Sequence, residues 1–353
     1  AGAARPILLE RFRDLLPVTA SAPILTLGEG ATPLVKVPRL GAAIGASDLW
    51  VKVEGANPTG SFKDRGMVVA VAKAVESGAR AVVCASTGNT SASAAAYAAA
   101  AGIEAVVLLP AGKIAAGKLL QAFAAGAKVI SIRGNFDDSL EIVRELGAAG
   151  GGVEIVNSIN PHRIAGQATA AHEIVADLGG APDVLALPVG NAGNISAYWR
   201  GFNDAVAAGA SGTRPRMIGV QAAGAAPLVS GAPIANPETV ATAIRIGKPA
   251  SWESAIAARD ESGGLIDSVT DAEILRAQEE IIRLGGIFVE PACAAPIAGL
   301  RNLIASGRVD GSARIVAVMT GFGLKDPDTA SRLIGEIREA DATLAGVRSA
   351  LGW

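Results

Sequence analysis

An α/β protein built on parallel or mostly parallel sheet flanked by helices is predicted, and three observations predict it. Short apolar runs rich in Val, Ile, Leu and Ala recur along the chain, helical patterns separate them, and polar or glycine-containing segments fall directly after them. Continuous apolar strands alternating with helices are the pattern of a parallel sheet covered on both faces. Ligands in such sheets collect at the carboxyl ends of the strands, so the segments after the strands are where function is sought.

Residues 8–16 form a short amphipathic piece, and 27–34 are an approach punctuated by Gly and Pro. Strand-like runs follow at 49–54, 81–85, 105–109, 128–132, 153–156, 184–187, 217–221 and 314–319. Helical patterns lie at 90–101, 116–125, 136–149, 163–178 and 195–207, and 147–152 is a glycine-dense connection. The longest apolar region, 90–112, is divided by Gly102, Glu104 and Pro110 into an alanine-rich helix and a strand, so no membrane span is expected there.

At 353 residues, one large or two medium domains are expected, taking roughly 150 residues per domain. Hydrophobic residues make up 50% and aromatics only 4%, which points to an aliphatic core. A net charge of -2 with no basic run argues against nucleic acid as a partner. Cys84 and Cys293 make no disulfide framework, and with only His162 and His172 beside them no metal site is expected. Arg5, Glu10, Arg11 and Arg13 fit no secretory leader, so a cytoplasmic location is expected.

The chain is organised around 57–67, NPTGSFKDRGM. It reads as the end of a strand, a tight turn, and a helix beginning near Ser61 as N-cap, with Asp64 in the first turn. Lys63 opposes the positive end of that helix dipole and should lose its proton easily, which suits an amine that attacks a carbonyl. A solvated surface lysine is the plainer alternative.

Further candidates follow the other strands. At 86–93, STGNTSAS, small hydroxyls and backbone N–H groups converge as a seat for a carboxylate, or as ordinary capping. Residues 112–118 have P-loop spacing, but Leu119 stands where a Ser or Thr would ligate magnesium, so a nucleotide site is rejected. At 157–163, NSINPHR, an arginine at a helix start can hold phosphate, although a capped turn explains the spacing equally well. Gly190, Asn191, Ala192, Gly193 and Asn194 open a helix with the close backbone approach an anion needs, and they do not form GxGxxG. Thr320 follows the last strand and is otherwise a turn-capping hydroxyl.

The lysine turn resembles that of the tryptophan-synthase-β-like pyridoxal-phosphate enzymes (fold type II), and with its flanking VEG it is closest to the threonine synthases, from about residue 28 to about 328. The resemblance implies pyridoxal 5′-phosphate bound through Lys63, Asn89 on its 3′ oxygen, 190–194 as its phosphate cup and Thr320 at the pyridine nitrogen. It implies Ser86, Thr87 and Thr90 for the amino-acid carboxylate, and Asn157, Ser158 and Arg163 for the phosphate of O-phospho-L-homoserine. It further implies two domains with the cofactor in the cleft between them, 1–68 plus 160–353 and an inserted 69–159, and a homodimer. Phe322 departs from the polar residue usual in TG-x-GLKD, and Cys293 replaces an expected serine. A serine/threonine dehydratase of the same fold is the nearest alternative and needs no second phosphate site. A non-catalytic carrier of the cofactor is a further one.

Overall fold

A computed structural model describes residues 7–86, 88–111, 116–134 and 136–353. Ten strands are formed among them: β1 (Leu34–Lys36), β2 (Asp48–Val53), β3 (Ala81–Ala85), β4 (Glu104–Pro110), β5 (Lys128–Ile132), β6 (Val153–Ile155), β7 (Val184–Pro188), β8 (Arg216–Ala222), β9 (Leu265–Val269) and β10 (Arg314–Met319). One six-stranded sheet has the order β1-β2-β10-β7-β8-β9, and one four-stranded sheet has the order β5-β4-β3-β6. Every pairing is parallel except β1 with β2. The predicted fold class is therefore the observed one.

Strand β10 shows why the apolar runs are continuous. Ile315, Ala317 and Met319 enter one core cluster and Val316 and Val318 the opposite one, as side chains alternate across a sheet covered on both faces. In the smaller sheet Val82 and Cys84 face one layer, and Val83 and Ala85 the other.

Alanine and glycine let the helices approach closely. Helix Lys63–Glu76 crosses helix Pro161–Leu178 where a Cβ on Gly66 would lie 2.6 Å from the carbonyl oxygen of Arg163. Leu8, Leu9 and Phe12 share a core cluster with Met67 to Ala74 and with the smaller sheet. No helix among the described residues is long and apolar enough to cross a membrane.

The topology positions the site. Strands β2, β10 and β7 are neighbours in the larger sheet. The segments leaving their carboxyl ends are the lysine turn, Thr320 and the 190–194 turn, so three stretches far apart in sequence emerge side by side. In the smaller sheet β3 and β6 are neighbours and lead into Ser86 and Asn157.

Candidate active site

The lysine turn is fixed at both ends. Asn57 donates through Nδ2 to Glu54 O at 2.8 Å and accepts from Gly30 N–H at 3.0 Å. Gly60 adopts φ +87, a conformation that favours glycine. The Phe62 N–H donates to Thr320 O at 3.0 Å and the Phe322 N–H to Gly60 O at 2.8 Å, so the lysine and Thr320 loops are paired backbone to backbone.

That pairing corrects the expected helix start. Ser61 is bridged to Gly321, and the helix opens at Lys63 with Phe62 in the cap position. The Ser61 hydroxyl still accepts from the Lys63 N–H at 3.4 Å, but it is not the N-cap. Tertiary strand-like pairing of residue 61 postpones the helix by two residues.

Lys63 Nζ lies 4.2 Å from the centre of the Phe62 ring, and among the described residues no hydrogen bond or ion pair engages it. Its pKa is pushed down to about 7, first by burial and then by the Arg163 cation, with Glu290 opposing. The low value expected of Lys63 is present, but burial leads it rather than the helix dipole. Asp64 beside it is buried and accepts from Thr59 N–H at 2.7 Å, Thr59 Oγ1 at 2.6 Å and Ser93 Oγ at 2.6 Å.

Asn89 begins helix Asn89–Ala101 and reaches across to the other sheet, donating from Nδ2 to Glu290 Oε1 at 3.1 Å. The Ser86 hydroxyl accepts from the Gly88 N–H at 3.2 Å, and Thr90 is buried in the first turn. Thr87 and the rejected 112–115 turn lie outside the described residues.

The turn after β7 has the properties of an anion cup. Ala192 takes the left-handed φ of +65, helix Gly193–Ala207 begins without a side-chain cap, and the buried Asn194 Nδ2 has no hydrogen-bond partner. A Cβ on Gly190 would stand 3.0 Å from Ile244 Cα, and one on Gly193 3.2 Å from Ile164 Cδ1, so both glycines keep the backbone close to its neighbours. The Asn191 carbonyl accepts from the Ser251 N–H at 3.1 Å, which fixes the turn from outside. Uncapped N–H groups and an orphaned amide donor fit a phosphate.

Thr320 is buried, and its Oγ1 shares a 3.5 Å hydrogen bond with Cys293 Sγ. The thiol also donates to Gly321 O at 3.2 Å, which explains how a cysteine substitutes for a serine here. Burial pushes the Cys293 thiol up to about 12, so it is no nucleophile at neutral pH. Phe322 is exposed and packs edge-on against Phe288, with centroids 5.5 Å apart.

The three residues carried over for substrate phosphate part company. Asn157 turns its amide to the backbone of Ala85, accepting from N–H at 3.0 Å and donating to C=O at 3.1 Å, so it pins the end of β3. Ser158 is half-buried in the turn before the Asn160 cap, whose Oδ1 accepts from the N–H groups of His162 and Arg163. Arg163 is fully buried and donates to Val156 O at 3.0 Å, while its Nε has no partner. Burial pushes Arg163 down to about 10.

Two features were not read from the sequence. Arg65 is buried between Glu54 and Glu173, with Nε to Glu54 Oε2 at 2.7 Å and Nη2 to Glu173 Oε2 at 2.6 Å. Lys52 joins the same glutamate at 2.9 Å. The network ties β2, the lysine helix and helix Pro161–Leu178 together, and its only local signal is Arg65 inside an apolar helix stretch. The other feature is Glu290, which lies in a run read only for Cys293.

Comparisons with known proteins give the family. A family model described as pyridoxal-phosphate dependent enzyme matches residues 25–321. The threonine synthase of Halalkalibacterium halodurans is 55% identical, over 93% of this chain and 92% of its own. That of Mycobacterium leprae is 54% identical over 98% and 96%, and that of Methanocaldococcus jannaschii 51% identical over 93% and 83%. Among solved structures, maize serine racemase superposes with a TM-score of 0.70 at 21% identity, covering 83% of this chain and 88% of that one. A threonine deaminase from Solanum lycopersicum gives 0.71 at 22% identity, covering 86% and 88%, and these two likenesses concern the fold alone. The chain belongs to the pyridoxal-phosphate-dependent enzymes and, within them, to the family of the threonine synthases.

Proposed function

We propose that this chain converts O-phospho-L-homoserine and water to L-threonine and phosphate, with pyridoxal 5′-phosphate held by Lys63. When bound, the cofactor supplies an electron sink for charge developing on the substrate's carbon next to the amine. Lys63 anchors its carbonyl carbon, Asn89 serves its 3′ oxygen, the 190–194 turn its phosphate and Thr320 its ring nitrogen. A hydroxyl at that last position can donate to the nitrogen and so, unlike a carboxylate, need not keep it protonated.

The chain's own chemistry then centres on one amine. Freed by the substrate, Lys63, with its pKa near 7, would take the Cα proton and hand it on before taking one from Cβ; once phosphate has left, Cγ would gain a proton, water would add at Cβ and Cα would regain its proton. Ser86, Thr87 and Thr90 hold the substrate carboxylate at the start of the Asn89 helix.

The observation that favours a phosphorylated substrate is Arg163. It is a buried cation beside Lys63, with no carboxylate partner among the described residues and an unpartnered Nε. Such a charge is costly alone and is completed by a dianion. Ser158 assists it, and Asn157 serves by holding Ala85 in place. A dehydratase acting on free serine or threonine gives Arg163 nothing to pair with.

The test combines a spectrum with products. A visible band near ~420 nm is expected with cofactor and is lost in Lys63→Ala; O-phospho-L-homoserine then yields phosphate and threonine in equal amounts. A keto acid from serine or threonine instead transfers the assignment to the dehydratases.

We read the division of the chain as 1–68 with 160–353 and 69–159, the smaller body closing over substrate. The boundary falls within helix Lys63–Glu76, so such motion has to be taken up near the lysine. A cytoplasmic homodimer completes the reading, and sedentation-free sizing by light scattering tests the dimer.

A further inference from the structure

One buried acid has no part in the function described above. Glu290 is 4% exposed and precedes the short turn Pro291–Ala294. Its N–H donates to Gly321 O at 3.2 Å, and a Cβ on Gly321 would come within 2.4 Å of Glu290 Oε1, so the carboxylate is wedged against the Thr320 loop. From there both oxygens accept from Asn89 Nδ2, at 3.1 and 3.2 Å, across the gap between the two sheets.

The charged groups facing Glu290 are Lys63, Lys325 and Asp326, and Lys63 in turn faces Arg163. Lys325 is itself occupied, donating to Thr59 O at 3.1 Å and to Gln121. Burial raises the Glu290 pKa to about 7, against the pull of Asn89, Lys325 and Lys63 and with the help of Asp326. An acid kept this far from water is costly unless its partners use it.

We propose that Glu290 is a positioning residue for this site: its carboxylate holds the Asn89 amide across the cleft, and its negative charge favours the protonated form of Lys63 against burial and the Arg163 cation. This rests on the reading of Lys63 and Asn89 as cofactor-facing. The amide nitrogen of Asn89 has two hydrogens, so engagement with Glu290 leaves one for a second acceptor. Glutamine at 290 keeps an acceptor for Asn89 but removes the charge; alanine removes both.

The experiment uses cofactor-free protein labelled with 13C-lysine, with the Lys63 signal identified by its absence in Lys63→Ala, together with pyridoxal 5′-phosphate titrations. In Glu290→Gln the Lys63 titration midpoint moves to lower pH, because the anion that favours its protonated form is gone, while cofactor affinity stays within about threefold. In Glu290→Ala the midpoint moves likewise and affinity falls about tenfold or more. That fall is absent when Glu290→Ala is made on an Asn89→Ala background. A Lys63 midpoint unmoved in Glu290→Gln overturns the electrostatic role, and an affinity loss equal in both backgrounds overturns the positioning role. If Glu290→Ala does not fold, Glu290→Gln still decides the first. If the unaltered protein shows no cofactor band, the proposed function fails, whereas the lysine titration still tests Glu290.

Discussion

Gly166 lies directly beneath the backbone carbonyl of Arg65: a Cβ on Gly166 would come within 2.1 Å of that oxygen. Together with Gly66 against Arg163, this locks the helix that begins with Lys63 onto the helix that carries Arg163. The separation of Lys63 from Arg163 is therefore set by two glycines together with the Arg65–Glu173 ion pair between the same helices. Gly166→Ala has no room without moving one helix, because the obstructing atom is backbone. A destabilisation of about 3 kcal/mol is expected in thermal or urea unfolding. At temperatures where the variant is folded, kcat/KM should also fall, and an unchanged value would show that the spacing is not critical.

The Arg65 network makes a second prediction. Burial opposes ionisation of Glu173, but Arg65 and Lys52 outweigh it and hold the carboxyl well below the usual range. A depressed carboxylate contributes stability that is present above its ordinary 4.5 and is lost as pH falls through the folded value. Glu173→Ala leaves Arg65 and Lys52 short of a partner and should lose about 3–5 kcal/mol at pH 7. In Glu173→Gln, urea midpoints compared at pH 7 and pH 4 should show a smaller decline than in the unaltered protein. An equal decline would place the acid sensitivity elsewhere.

How much of this was legible in sequence follows from where each signal resides. Strands such as β10 are buried on both faces and stand out as unbroken apolar runs. The edge strands of the larger sheet do not: β9 mixes Asp267 and Ser268 with its apolar ends, and β1 has only three residues. The helix Asp271–Gly285 was available from its capping box, Thr270 with Glu273, and was not read. The lysine turn, the uncapped glycine turn and Thr320 were legible because backbone conformation and chemistry are local there. Glu290 was not, since its partner Asn89 is 201 positions away and nothing near residue 290 announces it. Asn157 was legible as polar but not as to its partner, for the same reason.

Asn157 supports a third prediction. Its amide completes both backbone groups of Ala85, the last residue of the strand that leads to Ser86. Asn157→Ala leaves those buried groups unpaired and should cost about 1–3 kcal/mol. Because the Ser86 loop then loses its anchor, KM for the amino-acid substrate should rise along with the stability loss. Arg163→Gln should instead affect the phosphate: KM for O-phospho-L-homoserine rises while the cofactor spectrum is unchanged. If Asn157→Ala raised KM with no loss of stability, direct contact with substrate would replace anchoring as its role.

The buried amine of Lys63 is expected to destabilise the protein that contains it. An unfolded lysine binds its proton up to about 10.5, whereas Lys63 in the folded chain releases it near 7. Stability from this group is thus complete above 10.5, where both states are neutral, and is lost progressively as pH falls toward 7, because only the unfolded state gains the proton. Taken whole, the difference is on the order of 5 kcal/mol; some solvent contact at Lys63 reduces the expected effect to about 2 kcal/mol. Cofactor-free Lys63→Met should therefore unfold at higher urea than cofactor-free unaltered protein at pH 7, with the two curves converging as pH approaches 10.5. Adding pyridoxal 5′-phosphate should reverse the order, since only the lysine-bearing chain gains stability from covalent attachment. A methionine variant no more stable than its parent at pH 7 would mean that Lys63 keeps its proton in the folded protein, and the amine would then need the bound cofactor or substrate to release it.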